Sequence, residues 1–581
     1  MRKEAHNDPG VQKPVRRLRF KLPSLEKWVI LGVMIGVVSG LAGVVLSKAI
    51  SLISEYAFAK YTGIDLNTGQ IVSISILTPF IVALGGLLSG ILTYRFAPEA
   101  EGHGTDAVIE ALHWRAAVIK PRVPLVKLTA SSILIGLGGS AGKEGPIALI
   151  GAGFGSALSE KLHLTSAERR MMVLAGMAGG ISAVFKAPLG AMLFALEVPY
   201  KRDMEIEAVL PLGVSSIVAY VISISLTGVE PLFTLPGVKV STTVSGISYY
   251  ALLGIILGLT ARLYVRVFYT VRDIFKKLSV NPMVKPAIGG LVTGAIGMML
   301  PQVLGQGYPF LQQAMYGKVA WTVMLAAALG KILANSFSVA SGGSGGVFAP
   351  SLFIGGMMGG ALAKLYTNDP SIIAASTVVG MAAFFAGAGK VPFTSIVIVA
   401  EMTRGYELIV PSIIAVTLSY VIAGQETIYE KQVDTRTDSP FFLKELGEKL
   451  LRQIKVKEIM TREVVTVKPN WTLRRVIELI AKTHHMGFPV VEDSRVVGII
   501  TQSDVLRVRF EELDKVRVRD VMSKNVVAVL PHDSLEEALR KMLRYGIGRL
   551  PVVESYETMK LVGIVTKKDI VKAYEELRFL M

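Results

Sequence analysis

The chemistry this chain offers starts at one carboxylate. Lys143 and Glu144 are the only charged residues between Gly138 and Leu158, a run otherwise made of glycine and small or apolar residues. A carboxylate in such a run is costly inside a membrane and marks function there. Gly142, Gly145 and Pro146 suit an irregular turn that opens a helix at Pro146. A helix N-terminus turns unpaired N–H groups and a positive dipole end toward an anion. Glu144 at that place is a tethered anion: it fills the site when no free ion does, and protonation releases it. The result is a gate coupled to pH by competition. The bland alternative is an ordinary Lys-Glu loop at a membrane edge.

A repeat argues against that alternative. Adding 204 to the numbers of Gly142, Pro146, Ile150, Gly151, Gly155, Ala157 and Leu158 gives the same residue types at 346, 350, 354, 355, 359, 361 and 362. Lys186, Pro188 and Glu197 map in the same way onto Lys390, Pro392 and Glu401. At an offset of 203, Gly102-His103-Gly104 meets Gly305-Gln306-Gly307. The second copy of the turn, Gly346-Val347-Phe348-Ala349-Pro350, has no charge but again offers backbone amides just before a proline. Two facing helix starts make an anion cage without a cationic side chain. Duplicated segments broken by Gly and Pro place a binding site between repeats in transporters.

The elements that must hold these turns are membrane helices. The chain has 581 residues, of which 51% are hydrophobic. Segments at 28–54, 71–94, 247–271 and 409–423 with its flanks are long enough to span a bilayer, which takes roughly 20 residues. Those at 125–137, 146–159, 188–200, 350–366 and 391–401 are too short and read as broken or re-entrant helices, about fourteen to eighteen helices in all. Lys and Arg outnumber Asp and Glu by 62 − 45 = 17. That excess sits mostly in the N-terminal arm, the membrane-flanking loops and the last third, so positive cytoplasmic loops explain it better than nucleic acid. Residues 1–27 carry eight Lys or Arg, which predicts a cytoplasmic N-terminus. With no cysteine and seven scattered histidines, neither a disulfide nor a metal site is expected. No nucleophile–base pair or phosphate-transfer motif points to an enzyme. Gly136-x-Gly138-x-x-Ala141 has nucleotide-loop spacing but lacks the strand–helix unit and the later acid.

After Tyr429 the composition changes. Residues 430–455 read as a charged linker and 456–581 as a soluble, duplicated α/β region. Lys457-Glu458-Ile459-Met460 repeats as Arg519-Asp520-Val521-Met522, and Pro489-Val490-Val491 as Pro551-Val552-Val553. Gly498–Asp504 repeats as Gly563–Asp569. Each unit reads as strand, helix, strand, strand, helix. This order resembles a tandem CBS pair, whose cleft can hold an adenine nucleotide such as AMP or ATP. By that resemblance Thr501 with Asp504, and Thr566 with Asp569, would contact the ribose and phosphate. The competing reading is that each Thr and Asp caps the helix that follows.

Taken whole, the chain resembles a CLC chloride channel or transporter with C-terminal CBS domains. The G-K/R-E-G-P element is intact at Gly142–Pro146 and the G-x-F-x-P element at Gly346–Pro350, while G-S-G-I-P is changed to Gly102-His103-Gly104-Thr105-Asp106. The resemblance implies an all-α multi-pass membrane domain, an inverted repeat with broken and re-entrant helices, followed by an α/β tandem CBS domain. The expected boundaries are a basic cytoplasmic tail at 1–24 and an anion-transport domain at 25–430, with repeats at about 25–226 and 247–430. A linker at 431–455 leads to CBS units at 456–510 and 516–581. The resemblance also implies a homodimer in the cell membrane with one pore per subunit, and cytoplasmic CBS domains. Glu144 would be the extracellular gate. The amides of Val347 and Phe348, the Tyr429 hydroxyl and the turn at Gly142 and Gly145 would hold the anion.

Two departures bear on mechanism. His103 stands where the family places an anion-coordinating serine; either its ring donates to the anion or it turns away. Val198 stands where proton-coupled members carry a second glutamate after the one matched by Glu197. The expected function is therefore chloride transport through a channel-like pore gated by Glu144 and modulated by the CBS pair, with no required cofactor. Chloride/proton antiport is the alternative. A CBS-regulated cation transporter or membrane nucleotide sensor is the reading from another class, disfavoured by the scarcity of acids in the spans.

Overall fold

The computed structural model describes residues 24–238, 244–441 and 454–580. Most of the expected basic tail and residues 442–453 of the linker lie outside them. The chain divides into two compact units at Asp434/Thr435.

Among the described residues of the first unit, helices of eight or more residues come in two sets of eight. The first set is α1 Ser24–Ile53, α2 Thr78–Phe96, α3 Thr105–Trp114, α4 Arg122–Gly136, α5 Glu144–Lys161, α6 Ser166–Phe185, α7 Pro188–Glu197 and α8 Val209–Thr227. The second is α9 Val244–Lys277, α10 Lys285–Met299, α11 Tyr308–Met315, α12 Trp321–Ala340, α13 Phe348–Lys364, α14 Pro370–Gly389, α15 Pro392–Thr403 and α16 Ile409–Ile422. Six helical stretches, three in each set, are long and apolar enough to cross a membrane. Two sequence expectations change. The segment at 71–94 becomes helical only at Thr78, where Pro79 occupies an early helical position that lacks the need for an N–H donor. The segment at 409–423 is a helix of 14 residues, shorter than a span, because it follows a 3₁₀ turn at Tyr406–Leu408 and stops before Gly424.

The duplication extends to single atoms. Gly142 and Gly346, equivalent by the 204-residue offset, form an antiparallel bridge with reciprocal N–H···O bonds of 2.9 and 2.7 Å. Equivalent residues that bond each other reciprocally in antiparallel sense sit across a local two-fold axis between the two copies. The α5–α6 and α13–α14 contacts are matched as well. A Cβ on Gly151 would meet the Gly176 oxygen at 2.0 Å, and one on Gly355 would meet the Gly380 oxygen at 2.3 Å. Close backbone approach through small residues is how helices pack where hydrophobicity supplies no preference for protein over lipid.

Glu197 and Glu401 close the ends of the short helices reciprocally. Glu197, at the end of α7, accepts from the amides of Phe393 and Thr394 at 3.1 and 2.8 Å and from the Thr394 hydroxyl at 2.6 Å, at the start of α15. Glu401 accepts from Leu189 and Gly190 at 3.2 and 2.7 Å, at the start of α7. Each carboxylate satisfies helix-start donors that the membrane interior would leave without partners. Lys127 and Lys331, again 204 apart, are fully buried. Lys127 donates to the carbonyls of Ala100 and Gly102 at 2.9 and 2.6 Å, and Lys331 to those of Val303 and Gly305 at 2.8 and 2.7 Å. They tie down the two equivalent Gly-x-Gly loops.

In the second unit two antiparallel hairpins stand where each copy expects its strands: Gly487–Glu492 with Arg495–Thr501, and Arg549–Val553 with Leu561–Thr566. The expected first strand of each copy is one parallel bridge, Val467 to Val490 and Val529 to Val552. Pro469 and Pro531 follow two residues later and cannot donate to a ladder, which ends the pairing. The leading helices are exchanged between copies. Val456 packs in the core of residues 529–573, and Val518 in the core of residues 467–513.

Candidate functional site

Glu144 opens α5 and is buried, with 1% of its surface exposed, so the membrane-edge loop reading does not hold. Its Oε1 accepts from the Tyr308 hydroxyl at 2.6 Å. Its Oε2 lies against the bridge of the two signature turns: a Cβ on Gly142 would meet Oε2 at 2.2 Å and the Ala349 amide nitrogen at 3.1 Å. Only glycine leaves room for the carboxylate there. Gly145 is constrained too, since its Cβ would meet the His103 carbonyl oxygen at 1.9 Å. The start of α5, the start of α13 and the His103 loop therefore converge. Lys143 points elsewhere, its Nζ 3.2 Å from the Ser47 hydroxyl.

Val347 and Phe348 are the cap and first residue of α13. Their amides belong to the first turn, where no intrahelical acceptor exists. The Phe348 ring packs against Phe385, Phe185 and Phe194 with centroids 4.0, 4.8 and 5.3 Å apart. Tyr429 is fully buried, 6.3 Å from the Phe194 ring, and its hydroxyl has no hydrogen-bond partner within the protein. The segment that carries it is held by Gln432, which donates to the carbonyls of Val198 and Gly389, each at 3.0 Å. Val198 is buried and offers no titratable group; its carbonyl accepts from Gln432 and its amide donates to the Phe194 carbonyl. Glu197 beside it is occupied as a helix cap, which fits the structural role expected from its repeat partner.

His103 does not simply turn away. Its ring lies edge-on to Tyr429 at 5.6 Å and to Phe268 at 6.4 Å, and Nε2 is 3.2 Å from Asp106 Oδ2. Sequence reasoning missed Tyr308 and Asp106. The 203-residue offset held the signal for Tyr308, because it carries Gly104-Thr105 onto Gly307-Tyr308. A hydroxyl thus sits at the same place in both halves, but only the phenol reaches the Glu144 carboxylate.

In the second unit both Thr-x-x-Asp elements are capping boxes. Thr501 donates to Asp504 Oδ2 from N–H and hydroxyl at 2.9 and 2.6 Å, and Thr566 to Asp569 Oδ2 at 2.8 Å from each. Among the described residues no group of His, Cys, Asp and Glu could hold a metal ion.

Residues 85–424 match the family described as voltage-gated chloride channel, and residues 456–511 and 518–576 match the CBS domain. An uncharacterized protein of Methanocaldococcus jannaschii is 28% identical over 410 residues, which cover 71% of this chain and 96% of that protein. The H(+)/Cl(-) exchange transporter ClcA of Vibrio cholerae is 28% identical over 415 residues, covering 68% of this chain and 86% of that one. Among solved structures, a CLC-type fluoride/proton antiporter is similar with a TM-score of 0.61 and 23% identity, over 71% of this chain and 98% of its own. A eukaryotic CLC transporter is similar with a TM-score of 0.61 and 21% identity, over 94% of this chain and 98% of its own.

Proposed function

The chain belongs to the voltage-gated chloride channel (CLC) family, as a membrane anion-transport protein with two CBS domains behind it, and we propose that it exchanges chloride or a similar small anion for protons. The observation that carries this is Glu144: a protonatable anion, buried, bonded to Tyr308 and seated between the starts of α5 and α13 where a free anion would bind. Protonation is what vacates that seat. Curated relatives named H(+)/Cl(-) exchange transporters favour exchange over the channel-like pore, although Val198 cannot carry a proton.

Within this reading the anion is held by the Val347 and Phe348 amides, the Tyr429 hydroxyl and the glycine turn at Gly142 and Gly145. The protein acts as a homodimer in the cell membrane, with Glu144 toward the outside and the N-terminus and CBS pair in the cytoplasm. The CBS cleft takes an adenine nucleotide, which transport itself does not need. Paired flux in liposomes tests the central claim. With a chloride gradient imposed, protons driven against their own gradient at a fixed ratio to chloride are expected. Chloride efflux without coupled protons would return the channel reading to first place.

A further inference from the structure

The exchange reading leaves one question: Val198 has no proton to give, so where does Glu144 obtain one from the other side? The structure holds a titratable pair at the mouth of the site. His103 and Asp106 line a cavity of about 730 Å³ whose wall also includes Glu430 and Lys431, near the end of the first unit. The Asp106 side chain keeps 21% of its surface exposed toward this vestibule, whereas His103 keeps 7%. The acid meets water and the ring faces inward.

Asp106 is poorly suited to be an anion ligand, since a carboxylate repels one. It is well suited to orient an imidazole. Its Oδ2 lies 3.2 Å from Nε2 of His103, and its Oδ1 accepts from the Lys431 amide at 3.2 Å. With Nε2 directed to the acid, the other ring nitrogen is the one that exchanges. That nitrogen, Nδ1, is buried and has no hydrogen-bond partner in the protein. A buried polar atom without a partner calls for an explanation. The rings that pack on His103 are Tyr429 and Phe268, neither charged. The charged groups that line the same cavity come from several elements: Arg272, ion-paired to Glu430 at 2.6 Å, with Lys276 and Lys431, and Glu99, Glu101, Glu110, Arg115, Lys120 and Arg122.

We propose that His103, oriented by Asp106, is the vestibule-side proton-loading site of this exchanger, in place of the glutamate that Val198 replaces. The proposal rests on the exchange reading. A proton from the vestibule enters at the exposed Asp106 side of the pair: a hydronium O–H bond breaks, water is left in the vestibule, an N–H bond forms on the imidazole, and the imidazolium then presents a donor to the anion beside Tyr429. Passing the proton to Glu144 breaks that N–H bond and forms an O–H bond on the carboxylate, so imidazolium and carboxylate become imidazole and carboxylic acid. No electrons change hands. The gate is released, and the neutral ring now turns a lone pair to the anion, which leaves toward the vestibule as the proton travels the other way. The loop that carries His103 and the turn that carries Glu144 are in direct backbone contact, the His103 carbonyl lying against Gly145.

The test is the ratio of protons to chloride in liposomes containing the full chain. The variants are His103→Gln, which keeps an amide donor but cannot titrate, and Asp106→Asn. Gln is also the residue the second half carries at the equivalent position, Gln306. The expected result is a drop of at least tenfold in the proton-to-chloride ratio in every variant that moves chloride. A wild-type ratio in either variant overturns the proposal while leaving exchange intact. If the unmodified chain moves chloride with no coupled protons, the exchange reading fails and this proposal goes with it. Should one variant not be recovered in folded form, the other decides.

Discussion

Glu144 accepts one short hydrogen bond from Tyr308, 2.6 Å long in a buried site, and in the proposed exchange it is the gate. Glu144→Gln keeps the shape and removes the titration, so anion flux should become high and nearly independent of pH. Flux that keeps its full pH dependence would mean the gate is elsewhere. Tyr308→Phe removes the donor to the Glu144 carboxylate, which the proposed gate needs in its closed state. A hydrogen bond to a charged group contributes about 1.5–3 kcal/mol. The closed state should weaken accordingly, and flux at alkaline pH should rise about tenfold or more. If Tyr308→Phe flux matches the unmodified chain, the hydroxyl does not hold the gate.

At the scale of elements, the short helices α7 and α15 hold each other by exchanged caps. Cap loss costs about 0.5–2 kcal/mol, and here each carboxylate serves two amides. Glu197→Ala and Glu401→Ala should each lower the melting temperature in detergent by similar amounts. Glu197→Gln should leave the proton-to-chloride ratio as it is, because Glu197 works as a cap. A changed ratio in that variant would make Glu197 part of the proton path. The same logic explains Lys127 and Lys331. Each is a buried amine that donates to two carbonyls, and each fixes the loop that leads to His103 or to Tyr308.

At the scale of the whole molecule, the CBS units exchange their leading helices, so neither core is complete from one copy's residues alone. The Met460 thioether packs on Gly563, and Met522 on Gly498. A ligand bound between the copies would act on both cores at once. A ligand that binds only the folded state at 100 times its Kd adds about 2.7 kcal/mol. Adenine nucleotide should therefore raise the melting temperature of the intact chain, and Asp504→Ala with Asp569→Ala should abolish the rise. No shift with AMP or ATP on the unmodified chain would leave the Thr-x-x-Asp elements as helix caps only.

Much of this was legible in the sequence because repetition and composition are local properties. The 204-residue offset, the Gly-Lys-Glu-Gly-Pro turn, the glycine pairs and the change of composition after Tyr429 need only residue types and spacing. So the duplicated membrane unit, the paired helix starts at Glu144 and Phe348 and the CBS pair could be read directly. What only the tertiary structure decided is which side chains meet across long separations. Tyr308 reaches Glu144 from 164 residues away, and Glu401 reaches Gly190 from 211. The bridge of Gly142 to Gly346 sets the two copies about a local two-fold axis. His103 and Asp106 lie three residues apart in the chain, but their meaning came from the vestibule and the Tyr429 ring beside them. A sequence records which groups can titrate or donate. Only packing decides which of them share a cavity, because burial and distance set the strength of every charge interaction.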